Sequence, residues 1–226
     1  MNQKALKLGA LNTHFTNPHG LDDPEHYTTA KDLALIAKYA WNNNKFREIV
    51  QTKTKEIKDG DYTRQIFSTN RLLWQFHGAD GIKTGYTGNA GKCLVATAYK
   101  NGFRLISVVL GSHNHFEDSQ KLLDYGFNNY KLKPVVSKDD YYTTVNVENG
   151  IFEKVDLIAK ENIHLPVMEN ENISFKLVVP KNIKAPVLKG EQIGQLQIYI
   201  DNDHALSTDL VAARDVRLKK YHDILN

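Results

Sequence analysis

The residues whose types and spacing could do chemistry together are Lys83, Thr84 and Gly85. On a strand edge the three complement one another. The lysine brings a positive charge, the threonine a hydroxyl able to hydrogen-bond a carboxylate, and the glycine lets an extended peptide pack flat against the backbone. Three residues of this kind more often mark the end of a strand than a reactive edge, so the flanking sequence must decide. His113 and His115 make a second pattern: on a strand, His-x-His would aim both rings to one side, as metal ligands do. Nothing else in the sequence completes a ligand set for the pair, so no metal and no cofactor is expected.

The elements that would position Lys83-Thr84-Gly85 are legible around it. Between Lys92 and Gly111, two apolar runs flank Asn101-Gly102, the pattern of two buried strands joined by a tight turn. A helix is predicted over 115–130, with Phe116, Leu122, Leu123, Tyr125 and Phe127 at helical spacing. Upstream, Leu33, Ile36, Ala37, Ala40 and Trp41 predict a helix over 28–41 with Thr28 or Thr29 as N-cap. The segment 52–67 alternates around Asp59-Gly60 and predicts a hairpin. Met1–Gly9 starts inside an amphipathic pattern with no capping signal ahead of it, so the expectation is a chain that begins part-way through a longer fold.

Composition narrows the class. With 41% hydrophobic and 24% charged residues, 226 residues can bury a core without metals or disulfides. The one cysteine, Cys93, lies in an apolar run, where buried packing is expected. The net charge of +3 comes from 29 basic and 26 acidic residues interspersed along the chain, which reads as solvation and not as a nucleic-acid footprint. No apolar run approaches the roughly 18 residues that span a bilayer, and no signal core is present. Past Pro134 the sequence changes to short β-rich runs broken by Asn-Gly, Leu-Pro, Val-Pro and Ala-Pro, which predicts a separate small all-β domain.

The flanks of the triplet carry a resemblance. Gly81-Ile82-Lys83-Thr84-Gly85-Tyr86-Thr87, followed by Ala90-Gly91-Lys92-Cys93, is similar to the extended Lys-Thr-Gly signature of the low-molecular-mass D-alanyl-D-alanine carboxypeptidases, penicillin-binding proteins of peptidase family S11. Asn12 to Leu21, Thr29 to Ala34 and Asn70 to Trp74 resemble the same family block by block. The resemblance implies an α/β (α+β) catalytic domain, with helices packed on a mainly antiparallel sheet. Residues 1–131 would be its C-terminal part, lacking the N-terminal part, 134–216 the family's appended β-sandwich-like domain, and 217–226 the start of an amphipathic helix on the membrane surface.

It also implies roles. Lys83 would lend charge near a nucleophilic serine, Thr84 would bind the terminal carboxylate of D-Ala-D-Ala, and the backbone N–H of Tyr86 would belong to the oxyanion hole. Gly85 and Thr87 would line the substrate. The family commonly carries an arginine shortly after the second strand, aimed at the substrate carboxylate. Here that stretch reads Ser112-His113-Asn114-His115-Phe116, and His115 is a weak replacement for a guanidinium. The implied partners are peptidoglycan stem peptides ending in D-Ala-D-Ala and β-lactam antibiotics, at an extracytoplasmic, membrane- or wall-associated location.

The nucleophile element is another matter. None of the seven serines, Ser68, Ser107, Ser112, Ser119, Ser137, Ser174 and Ser207, has a lysine three positions on, so no Ser-x-x-Lys exists in the sequence. Ser68-Thr69-Asn70 and Ser112-His113-Asn114 match the family's Ser-x-Asn by spacing alone and read as accidental. The expectation is therefore a chain that turns nothing over by itself. A non-catalytic module for cell-wall peptides is the alternative reading, and a class A β-lactamase is disfavoured because the β-domain has no place in it.

Overall fold

The computed structural model describes residues 1–220, which fall into two compact units divided between Asn129 and Tyr130. The first runs through α1 (Asn2–Lys7), α2 (Ala30–Ala40), α3 (Asn44–Val50), β1 (Thr54–Asp59), β2 (Tyr62–Phe67), α4 (Leu72–Gln75), β3 (Ala79–Thr87), β4 (Gly91–Lys100), β5 (Phe103–Val109) and α5 (His115–Asn129). Strands β3, β4 and β5 form an antiparallel sheet in that order, so β3 is an edge. The β4–β5 turn is Asn101-Gly102, with φ of 56° and 86°. Both central residues of such a two-residue turn must take positive φ, which is why asparagine and glycine stand there.

Helices cover both faces of this sheet. On one, Phe127 of α5 lies 5.3 Å, centroid to centroid, from Phe103, and Leu94, Ala96 and Ala98 of β4 are buried. On the other, Arg104, one residue along β5, places its guanidinium 3.8 Å from the ring of Trp41 at the end of α2. Arg104 also donates to Asp80 (2.6 Å) and Thr97 (2.9 Å), tying all three strands together on that side. The strand period of two thus assigns every sheet residue to the α5 side or to the α2–α3 side.

Helix α2 begins where Thr29 accepts a hydrogen bond from the Asp32 N–H. Asp32 is buried and accepts in turn from the Asn12 N–H (2.8 Å) and the Thr13 hydroxyl (2.7 Å), so it anchors the preceding loop. The Thr13 hydroxyl, with the Asn12 N–H and the Thr29 hydroxyl, holds its carboxyl below the usual carboxylate range against the opposing pull of burial. A carboxyl whose pKa is lower in the folded state contributes stability above about pH 3.9, and that contribution is lost as pH falls through the folded value. Asp32→Ala is accordingly expected to lower Tm at pH 7, with the gap to wild type closing in strong acid. A Tm difference that stays constant down to pH 2 would contradict this.

The second unit is all β: β6 (Lys131–Val136), β7 (Tyr141–Glu148), β8 (Lys154–Ala159), β9 (Ile163–Val167), β10 (Ile173–Val178), β11 (Asn182–Lys184), β12 (Gln192–Ile200) and β13 (Asp203–Ala212). Six strands form one sheet in the order β10-β12-β13-β8-β7-β11, and β6 pairs with β9 in a second. Val136 of β6 joins Val145, Leu157, Leu196, Ile198 and Leu210 of the larger sheet in one buried cluster, so the two sheets share a core. Pro134 lies inside β6 beside a register irregularity, a position that tolerates a missing N–H.

Two expectations are corrected here. Cys93 is only partly buried. Residues 217–220 do not start a helix: Leu218 bridges Gly150, the Arg217 carbonyl accepts from the Ile151 N–H, and Lys219 donates to the Asn149 carbonyl, which holds this stretch extended. The remainder of the expected helix, including Tyr221 and Leu225, lies outside the described residues. No helix among the described residues is long and apolar enough to cross a membrane.

Candidate active-site wall

Lys83, Thr84, Gly85 and Tyr86 all lie on the edge strand β3 and border a groove of about 700 Å³. The other residues of the groove are Ser68, Thr69, Arg71, Lys92, His115 and Phe116. Thr84 and Tyr86 pair with Leu94 and Lys92 across β4, which puts them on the α5 side of the sheet. Lys83 and Gly85 alternate to the other side of the sheet yet border the same groove, and from Lys83 a smaller groove of about 520 Å³ runs to Lys45, Glu48 and Lys53. Ser68, Thr69, Lys83 and Thr84 border both grooves.

The free edge of β3 is already polarised. The Lys83 ammonium turns back to donate to the Thr84 carbonyl oxygen. Residues two apart in a strand face the same way, so the Tyr86 N–H points toward the same open edge. The Thr84 hydroxyl lies 2.7 Å from that of Thr69. With Thr69 as donor in that pair, the Thr84 proton is left for a ligand oxygen, because each hydroxyl has one donor and two acceptor lone pairs. Gly85 has nothing within 4 Å of where a Cβ would sit. No packing among the described residues demands a glycine there, and its bare backbone faces open space that an extended ligand can use.

Asn70 fixes this edge from behind. It is 3% exposed, donates through Nδ2 to the Gly81 carbonyl (3.0 Å), and accepts through Oδ1 from the Leu72 N–H (3.2 Å). Ser68 accepts from the Asn70 N–H. The segment Ser68-Thr69-Asn70 is therefore part of the site's construction, with Thr69 facing the groove and Asn70 turned into the protein.

Not every expected site residue joins the groove. The Thr87 hydroxyl accepts from the Ala90 N–H (3.0 Å), closing the turn after β3, and Thr87 is absent from the groove's border. His115 does border it, as the first residue of α5. His113 is exposed in the preceding turn, so the pair does not sit on a strand and the geometry behind a His-x-His metal site is lacking. Burial, then the charges of Lys92 and Arg71, push the His115 pKa down, with Asp118 opposing. Reading the sequence only after β5 for a guanidinium missed Arg71, which reaches the groove from the residue ahead of α4.

Residues 1–114 match the family model described as D-alanyl-D-alanine carboxypeptidase, and residues 130–218 match the one described as penicillin-binding protein 5, C-terminal domain. The chain belongs to the D-alanyl-D-alanine carboxypeptidase family. It is 32% identical over 224 residues to the D-alanyl-D-alanine carboxypeptidase DacF of Bacillus subtilis, covering 96% of this chain and 58% of that protein. To DacC of Escherichia coli it is 34% identical, covering 96% and 55%. Penicillin binding protein 5 from Haemophilus influenzae superposes with a TM-score of 0.70 at 30% identity, covering 96% of this chain and 64% of that one. For PBP3 of Streptococcus pneumoniae the TM-score is 0.75 at 25% identity, covering 95% and 68%. The chain thus spans little more than half the length of these curated carboxypeptidases, with a penicillin-binding-protein fold followed by a β domain of the family's type.

Proposed function

We propose that this chain supplies the carboxylate-binding wall of a serine-type D-Ala-D-Ala carboxypeptidase acting on peptidoglycan stem peptides outside the cytoplasm. The observation that carries the reading is the open edge of β3, where the Thr84 hydroxyl, the bare Gly85 backbone and the Lys83 charge face one groove. A peptide laid antiparallel to β3 would extend the sheet by one strand and present its C-terminal carboxylate to Thr84. Lys83 would act next to the serine, and the Tyr86 N–H would donate to the oxyanion of the tetrahedral intermediate, with a second donor from the serine's own backbone. In the complete reaction the serine is acylated, D-alanine departs and water resolves the ester. A β-lactam would acylate the same serine.

No Ser-x-x-Lys occurs among the 226 residues, so the chain by itself is proposed to bind and not to turn over. Incubated with a fluorescent penicillin, it is expected to give no labelled band on a denaturing gel after boiling. A boil-stable band would show that one of its own nucleophiles is positioned to react, and would overturn the proposal. The same absence favours a second reading, a peptide-binding module without chemistry. The two separate when a polypeptide carrying Ser-x-x-Lys and Ser-x-Asn is supplied: release of D-alanine supports the carboxypeptidase and its failure supports the module.

A further inference from the structure

In the second unit the six-stranded sheet ends at β10, which pairs with β12 on one side only. An antiparallel strand sends its N–H and C=O groups alternately to its two sides, so β12 takes one row from β10 and the other row stays open. No other backbone segment among the described residues hydrogen-bonds to Ile173–Val178. Free edges are usually blunted by shortness, by charge or by a covering segment. The opposite edge, β11, is three residues long, whereas β10 has six residues and one charge, Lys176.

The register with β12 divides the side chains of β10 between two faces. Ile173, Phe175 and Leu177 stand across from Ile200, Ile198 and Leu196, and Ile198 and Leu196 are fully buried, so this face of β10 looks into the core. Phe175 is nevertheless 47% exposed and Leu177 40%. The core is open along its β10 side: the Phe175 ring meets that of Tyr142, 6.4 Å away between centroids, and has no strand beyond it. Ser174 and Lys176 take the outer face, across from Tyr199 and Gln197, and Lys176 forms no salt bridge among the described residues. A free row of backbone groups beside an uncovered apolar row is complementary to one further strand.

We infer that this strand is β10 of a second copy of the chain, paired antiparallel about a two-fold axis at Phe175. Residues directly opposite in an antiparallel pair point to the same face, so a two-fold axis normal to the sheet must sit at a residue and not between two. Centred on Phe175, the pairing sets Ile173 against Leu177, Phe175 against Phe175 and Ser174 against Lys176. The core face is then apolar throughout, and no charge meets its like. The neighbouring registers are worse. Centring on Lys176 opposes two ammonium groups, and centring on Ser174 sets Leu177 against the Glu171 carboxylate. Centring on Leu177 sets Ser174 against Pro180, which has no N–H to give. Because the two-fold contact uses the same edge on both copies, assembly closes at the dimer.

Sedimentation equilibrium of the full chain tests this. The mass is expected to pass from one chain to two as concentration rises, and to go no higher. Phe175→Lys sets two ammonium groups face to face and is expected to raise the dimer dissociation constant at least about ten-fold, and Leu177→Lys, opposite Ile173, should weaken it too. Tm identifies a variant that dissociates only because it unfolds, and cross-linking then carries the test. In a Cys93→Ser background, Ser174→Cys and Lys176→Cys chains are treated with oxidised glutathione, each alone and as a mixture. A disulfide needs Cα atoms about 4.4–6.8 Å apart, which opposite residues reach and diagonal ones, roughly 7–8 Å apart, do not. Only the mixture is expected to give a covalent dimer on a non-reducing gel. A chain that stays monomeric at its highest soluble concentration overturns the inference and leaves the edge to a strand of another protein. A dimer indifferent to both lysine variants overturns it as well, since the contact then lies elsewhere. Lys176→Cys cross-linking with itself, or equal cross-linking in all three samples, refutes the register, and assembly beyond two chains refutes the two-fold.

Discussion

Asn70→Ala is expected to lower the stability of the first unit by about 2–4 kcal/mol, because it strips partners from two buried backbone groups at once, each worth roughly 1–3 kcal/mol when left unpaired. The side chain is 3% exposed, and its amide spans from the Gly81 carbonyl to the Leu72 N–H. One of those groups lies two residues into β3 and the other opens α4, so the same residue ties the reactive edge to the segment from which Arg71 projects. Asn70→Asp should be no better, since a carboxylate keeps the acceptor for Leu72 but turns an oxygen toward the Gly81 carbonyl. Urea unfolding checks this directly: the midpoint should fall with the m-value unchanged. An alanine variant within about 0.5 kcal/mol of wild type would mean that water replaces both bonds and that Asn70 is not what holds the edge in place.

Asn70 also marks how far the sequence could be read. Strands β4 and β5 were legible because Asn101-Gly102 can hardly be anything but a two-residue turn between apolar runs, and α2 because its apolar stripe follows a good N-cap. Lys83, Thr84, Gly85 and Tyr86 were named as a set from a resemblance across four blocks, and the structure places all four along one groove. What stayed hidden was contributed by side chains distant in sequence. Thr69 meets Thr84 across 15 positions, and Asn70 meets Gly81 across 11. Arg71 enters the groove from upstream of a strand after which a guanidinium was sought. Spacing rules see neighbours within one element, while a groove is built where several elements converge. Over 217–220 the expected helix does not form for a related reason: Val216 and Leu218 pair with Val187 and Gly150, and tertiary pairing overrides the local apolar period.

Thr84→Val is expected to cut kcat/KM on a D-Ala-D-Ala peptide about ten- to hundred-fold once the nucleophile-bearing segment is supplied, and to leave Tm nearly unchanged. Valine keeps the β-branched shape that suits a strand and removes only the hydroxyl. The lost interaction is a hydrogen bond to a charged carboxylate, worth roughly 1.5–3 kcal/mol, which converts to that fall in rate. Structural damage should be small, because the one partner left behind, the Thr69 hydroxyl, is exposed and can turn to water. The partition between kinetic constants adds information: a rise in KM at constant kcat would mean that Thr84 holds the carboxylate equally in ground and transition states, whereas a fall in kcat would mean that its grip tightens as the tetrahedral intermediate forms. Thr69→Val provides the contrast. If Thr69 acts by orienting the Thr84 proton, its loss should reproduce part of the effect, and adding Thr69→Val to Thr84→Val should cost nothing further. An unchanged rate in Thr84→Val, or a rate that falls only in step with unfolding, would make Lys83-Thr84-Gly85 a structural strand edge with no hold on the substrate.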